Sequence, residues 1–162
     1  MTVNAPLIGQ IRKDLADLGR VVAETLRLAQ KAQATGDDDY LSAAALNLHG
    51  FYAGTEGIFK KIANDIDESI PGGIDSHRRL LQQMSAEIPG IRPPVINSET
   101  QAALDEYRSF RHVVRNVYTL NLRSSRIREL ASDLPACYAA LTEDLSAFNG
   151  YLEELDAEDS TT

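Results

Sequence analysis

The sequence predicts an all-α protein: a single-domain antiparallel helical bundle with two long helices and several shorter ones. Three features point there. Apolar residues recur at three- and four-residue steps along almost the whole chain, the spacing that lines one side of a helix. Glycine and proline clusters interrupt that period at only a few places, which divide the chain into helix-length segments. No run alternates apolar and polar residues long enough to make a strand, apart from short ambiguous stretches such as PPVI.

Taken in order, Leu7, Ile11, Leu15, Leu18, Val22 and Leu26 form the apolar row of a first long helix over 5–35. Gly36 stops it, and Asp37, Asp38 and Asp39 offer a cap to the next. A second long helix is expected over 39–68, with Leu41, Ala45, Leu48, Tyr52, Ile58, Phe59, Ile62 and Ile66 on its apolar side. Its small residues, among them Gly50, Gly54 and Gly57, suggest close approach to another helix at some expense of intrinsic helicity. The segment IPGGIDS breaks the pattern, and Asp75 or Ser76 then caps a shorter helix over 77–88. The loop PGIRPPVINSE follows, its prolines forbidding a continued helix. Ser98 with Gln101 has the form of a capping box, opening a helix to about residue 120. A short helix over 125–132 is expected to lead through Leu134-Pro135 into a last amphipathic helix over 135–155. The domain is drawn over 1–158, with 159–162 as a frayed acidic tail.

At 162 residues the chain fits one domain with a real core, and 43% hydrophobic against 25% charged residues argues against global disorder. The N-terminus lacks the apolar run of a signal peptide, no stretch approaches a membrane span, and a single cysteine, Cys137, excludes an internal disulfide and a Cys-based metal site. A reducing cytoplasm is therefore the default compartment.

A net charge of −8 speaks against general nucleic-acid affinity. The charges are nevertheless segregated. Six arginines (108, 111, 115, 123, 126, 128) and no acid lie between 108 and 128, whereas nine acids and no Lys or Arg follow from Glu129 onward. Within this region the stretch RSFRHVVRNVY, 108–118, sorts by helical phase. Phe110, Val113, Val114, Val117 and Leu120 fall within about 120° as a core stripe at 100° per residue. Arg108, Arg111, Arg115 and Thr119 share the other side within about 80°, with His112 and Asn116 on one shoulder and Tyr118 on the other. Arginines on one helix side repel unless an anion or acid lies between them, and their planar forks match phosphate oxygens. A histidine beside them can move a proton near neutrality. Such a set suits cleavage of RNA, which carries its own nucleophile in the 2′-hydroxyl. The alternative is that the arginines pair with acids on neighbouring helices, such as Glu143, Asp144, Glu153 or Glu154.

Three blocks, 45–63, 76–96 and most specifically LDEYRSFRHVVRNVYTLNL at 104–122, resemble the HepT-like branch of the HEPN domains. These are small α-helical proteins, many of them endoribonuclease toxins of toxin–antitoxin pairs. The resemblance implies a metal-independent endoribonuclease without a cofactor, its cleft built across a homodimer. The family motif is Arg, four residues, His, one residue, Tyr. Arg111 takes the arginine place and Tyr118 the tyrosine place, while Asn116 stands where histidine is expected. Asparagine orients a hydroxyl or phosphate but is no general acid or base. His112, one turn before Asn116, is the leading substitute for proton transfer, with Arg108 and Arg115 widening the anion site. The resemblance further implies an MNT-type nucleotidyltransferase antitoxin as partner, with Tyr118 as the acceptor of AMP. The rival expectation is a non-catalytic nucleotide- or partner-binding module that lost cleavage with the motif histidine.

Other residues carry blander readings. His49 reads as a helix-packing histidine, His77 as solvent-exposed rather than lining an RNA path, Glu56 with Lys60 as an i, i+4 pair, and Cys137 as buried. Gly72-Gly73 is a turn, Asp37 to Asp39 a cap, and the three histidines make no metal site.

Overall fold

The computed structural model describes residues 3–116 and 124–161, with residues 111–116 represented by their helical backbone alone. Among the described residues there are five α-helices and no strand: α1 (Ala5–Thr35), α2 (Asp39–Ile62), α3 (Ser76–Ser85), α4 (Ser98–Asn116) and α5 (Ser124–Ser160). The all-α, single-domain expectation holds.

The long helices pack as antiparallel neighbours. Asp14 and Leu18 of α1 meet Lys61 and Gly54 of α2, the Lys61 Nζ donating to Asp14 at 2.6 Å. At Gly54 a Cβ would stand 2.7 Å from Leu18 Cδ2, so this glycine sets the closeness of the two helices. Gly50 and Gly57, also read as sites of close approach, have no such neighbour among the described residues. Between α1 and α5, Asn4 pairs with Asp156, Arg12 with Glu153, and the Tyr138 hydroxyl donates to the Leu15 carbonyl at 2.7 Å. That last bond also requires a glycine, because a Cβ on Gly19 would lie 2.8 Å from the Tyr138 oxygen. The core runs along these seams, with Ile11, Leu48, Phe51, Tyr52, Phe59, Leu104, Leu134 and Leu145 sealed from water.

α1 ends where Gly36 adopts φ 70° and donates its N–H to Ala32, as a C-terminal glycine should. α2 departs from its expected span. After Ile62 the chain widens into a π-helical turn, Ala63–Asp67, and leaves it through Glu68 at φ 54°. Asp67 there receives two bonds from Arg92, at 2.6 and 2.8 Å, and both side chains are fully buried. Arg92 also donates to the carbonyls of Ala86, Pro93 and Gln83 at 2.9, 3.0 and 3.1 Å. All five guanidinium donors are thus used, the condition under which a charge can be buried. This clasp ties the end of α2 to the proline loop.

Three boundaries correct the sequence expectations. α3 stops at Ser85, because Ala86 turns extended and the chain folds back through Gly90, with Ile88 and Arg92 exchanging backbone hydrogen bonds. α4 is capped by Asn97, not Ser98: the Asn97 Oδ1 accepts the Thr100 N–H at 2.8 Å. Asn97 is itself held from α5, where Asp144 accepts its backbone N–H at 3.0 Å. The two expected C-terminal helices are one continuous helix with Pro135 inside it. A proline costs about 3 kcal/mol in a helix interior. Here its ring is exposed while Ile127, Leu130, Leu134, Cys137, Leu141 and Leu145 bury an unbroken row across it, and that burial outweighs the lost bond. The helix continues through Asp159 and Ser160, into the segment expected as tail.

Candidate functional site

α4 carries the arginine-rich stretch, and its inward row positions it. Thr100, Leu104, Tyr107 and Phe110 are buried. Tyr107 meets Phe51 of α2 edge-on, the rings 5.6 Å apart at 69°, and its hydroxyl donates to the Leu130 carbonyl of α5 at 2.8 Å. Burial pushes the Tyr107 phenol well above its usual range, so it stays a neutral anchor between α2 and α5.

Phe110 joins the core as expected. Arg111, His112, Arg115 and Asn116 follow on the helical backbone of the last turns of α4. Arg111 comes three residues after Arg108, and His112 four after it. Val113 and Val114 share that backbone stretch. Tyr118, and with it Val117, Thr119, Leu120 and Arg123, lies outside the described residues.

Two arginines of the cluster are described with carboxylates. Arg108 donates its Nε to Asp105 at 2.7 Å, with 23% of its side chain exposed. Arg126 bonds to Glu106 of α4 and lies 3.2 Å from Glu129. Both are partly or largely exposed pairs, of a kind that contributes little to stability and yields to a stronger anion. They come from α4 and α5 themselves and not from the acids at 143–154 considered above.

A feature that the sequence reading missed lies beside α4. Glu56 of α2 is buried, with 3% of its side chain exposed, and its Oε2 stands 2.7 Å from Nδ1 of His77 in the first turn of α3. Glu56, expected at the surface beside Lys60, is thus buried, and His77, expected in solvent, is only partly exposed. The signal was present: Glu56 falls in phase with Tyr52, Phe59 and Ala63, a carboxylate inside a buried row. His77 keeps about a third of its side chain exposed, 35%. Next to it Arg78 faces Asp105 and Gln101 of α4 across a shallow groove that also includes Leu81 and Gln82. Thus α3's first turn and α4's polar flank share one side of the molecule.

Cys137 is buried, and desolvation pushes its thiol up to about 12, so it is no nucleophile at neutral pH. Among the described residues no group of His, Cys, Asp and Glu could hold a metal ion, and no helix is long and apolar enough to cross a membrane.

Residues 43–152 match the family described as HepT-like protein, a span from α2 to the last third of α5. The chain belongs to the HepT-like family. The match includes Arg111, His112, Asn116, Tyr118 and the Glu56–His77 pair, and it begins after α1. No curated protein and no solved structure matches the chain. Arg111 and Asn116 lie on one continuous helix, α4.

Proposed function

We propose that this HepT-like protein is the toxin of a toxin–antitoxin pair and acts as a metal-independent endoribonuclease. The observation that carries the proposal is its membership of the HepT-like family across α2 to α5, with the motif arginine and tyrosine in place as Arg111 and Tyr118. Arg111 binds the scissile phosphate and stabilises its developing charge. Arg108 and Arg115 extend the anion site, Arg108 by exchanging the Asp105 carboxylate for phosphate. His112 transfers a proton and Asn116 orients the sugar hydroxyl or phosphate. Attack by the 2′-hydroxyl leaves a 2′,3′-cyclic phosphate. Two protomers contribute to the cleft, and a nucleotidyltransferase antitoxin neutralises it by transferring AMP to Tyr118, which fills the cationic groove with a nucleotide.

Incubation of the purified protein with RNA in EDTA tests this reading. Cleavage is expected to be lost, by about 10²-fold or more, in Arg111→Ala. Wild-type protein that leaves RNA intact while binding its nucleotidyltransferase tightly supports the second reading, a partner-binding module. The observation favouring that second reading is Asn116 in place of the motif histidine. A neighbouring reading frame with the Gly-Ser…Asp-x-Asp pattern of a nucleotidyltransferase supports the antitoxin in either case.

A further inference from the structure

Most polar side chains of α3 and the first turns of α4 are already tied. Arg79 donates to the Gly72 carbonyl, and Gln83 to Asp67 and to the Ser69 carbonyl. Asn97 caps α4, and Arg108 holds Asp105. Three side chains differ. Among the described residues no hydrogen bond or ion pair engages the side chains of Arg78, Gln82 or Gln101, and all three line one groove of about 280 Å³ between α3 and α4. Arg78 and Gln82 stand four residues apart on α3, and Gln101 and Asp105 four apart on α4, so each helix brings a row of two to the groove. Leu81, sealed from water, lies beneath them. Arg78 and Asp105 carry opposite charges on facing walls and form no ion pair with each other, so the groove keeps its walls apart.

We propose that this groove is a subsite for one unpaired nucleotide of the RNA, with Arg78 on its phosphate and Gln82, Gln101 and Asp105 on its base. The proposal rests on the endoribonuclease reading and adds to it where the strand lies beside the cleaved phosphate. A carboxamide offers a donor and an acceptor side by side, a pattern that a base edge answers with two parallel hydrogen bonds. An unpaired strand leaves those edges free. The exposed guanidinium of Arg78 matches phosphate oxygens. A carboxylate only accepts, so Asp105 favours a base with an exocyclic amine next to a ring-nitrogen acceptor, adenine or cytosine, over uracil. The strand also has a continuation. Arg108 exchanges Asp105 for the next phosphate, which leaves that carboxylate to the amine, and α4 runs on as a helix towards Arg111. A peptide partner suits the groove less, because Leu81 and Ala102 are its only apolar lining residues.

Binding of 2′-O-methyl oligonucleotides of a single base type, which lack the nucleophile and stay intact, tests the proposal by fluorescence anisotropy. Cleavage of ordinary RNA in EDTA is measured beside it. The wild type should bind oligo(A) and oligo(C) at least about fivefold more tightly than oligo(U). Gln82→Leu and Gln101→Leu should each erase that preference, weakening A and C binding about 5- to 100-fold with little change for U. Arg78→Ala should weaken all three alike and flatten the slope of log K against log salt by about 0.7, one phosphate's share on a single strand. Arg78 and Gln82 are exposed, so both variants should keep the wild-type melting temperature. Lys13→Ala, the same charge change on the exposed side of α1, should leave slope and preference unchanged.

A wild type that binds the three sequences alike, or glutamine variants that match it, overturns the subsite while RNA cleavage leaves the ribonuclease standing. An equal slope change in Lys13→Ala assigns the Arg78 effect to net charge and overturns the phosphate contact. Groove-dependent binding without any cleavage of RNA overturns the ribonuclease reading and keeps the subsite. Neither binding nor cleavage overturns both.

Discussion

Two carboxylates of the α2 region are buried against basic side chains, and they are built differently. Asp67 and Arg92 form a closed pair. Both side chains lack solvent contact, and every guanidinium donor ends on a protein oxygen. Glu56 and His77 form an open pair, in which the carboxylate is buried and about a third of the imidazole is not. A closed pair has no capacity left for a ligand, so its contribution is to fix the π turn and the proline loop. The open pair leaves part of its ring at the surface. Burial of a charge therefore says little about function until the exposure of its partner is known.

The difference is open to direct tests. Arg92→Ala leaves the Asp67 carboxylate buried without a cation and should destabilise the fold by about 3–5 kcal/mol in denaturant unfolding. RNA cleavage per folded molecule should stay at the wild-type level, and a specific loss of kcat would mean that the clasp also serves the site. Glu56→Gln should cost less, about 1 kcal/mol, since the amide oxygen still accepts from His77. Its activity should fall more than its stability, the reverse of Arg92→Ala. If both variants lose stability and activity in proportion, the distinction between closed and open pairs fails. Lys60→Ala should change stability by less than about 0.5 kcal/mol, because Lys60 lies on the exposed side of α2.

The long-range features of the fold were legible to unequal degrees. The α1 span and its Gly36 stop were readable, since a helix row and an αL glycine are local matters. The Pro135 break was over-read: proline's local penalty was weighed without the buried row that spans it. Ser98 and Asn97 are both good caps, and what selects Asn97 is Asp144, 47 residues away on α5. For the candidate site, it was legible that Arg108, Arg111, His112, Arg115 and Asn116 share one helix. The pairing of Arg108 with Asp105 was not weighed, though three residues separate them. His77, in a helix's first turn beside Arg78 and Arg79, could line an RNA path but reads from sequence as solvent-exposed.

By itself, then, the sequence determined most of the helices, most of their rows and a likeness to the HepT-like family that its match over 43–152 bears out. These follow from neighbours within a turn or two, where backbone geometry fixes who stands beside whom. Only the tertiary structure decided that Glu56 meets His77 across 21 residues and Asp67 meets Arg92 across 25. Such pairs form when loops close and helices dock, and the dielectric that gives them their strength exists only once the core has excluded water.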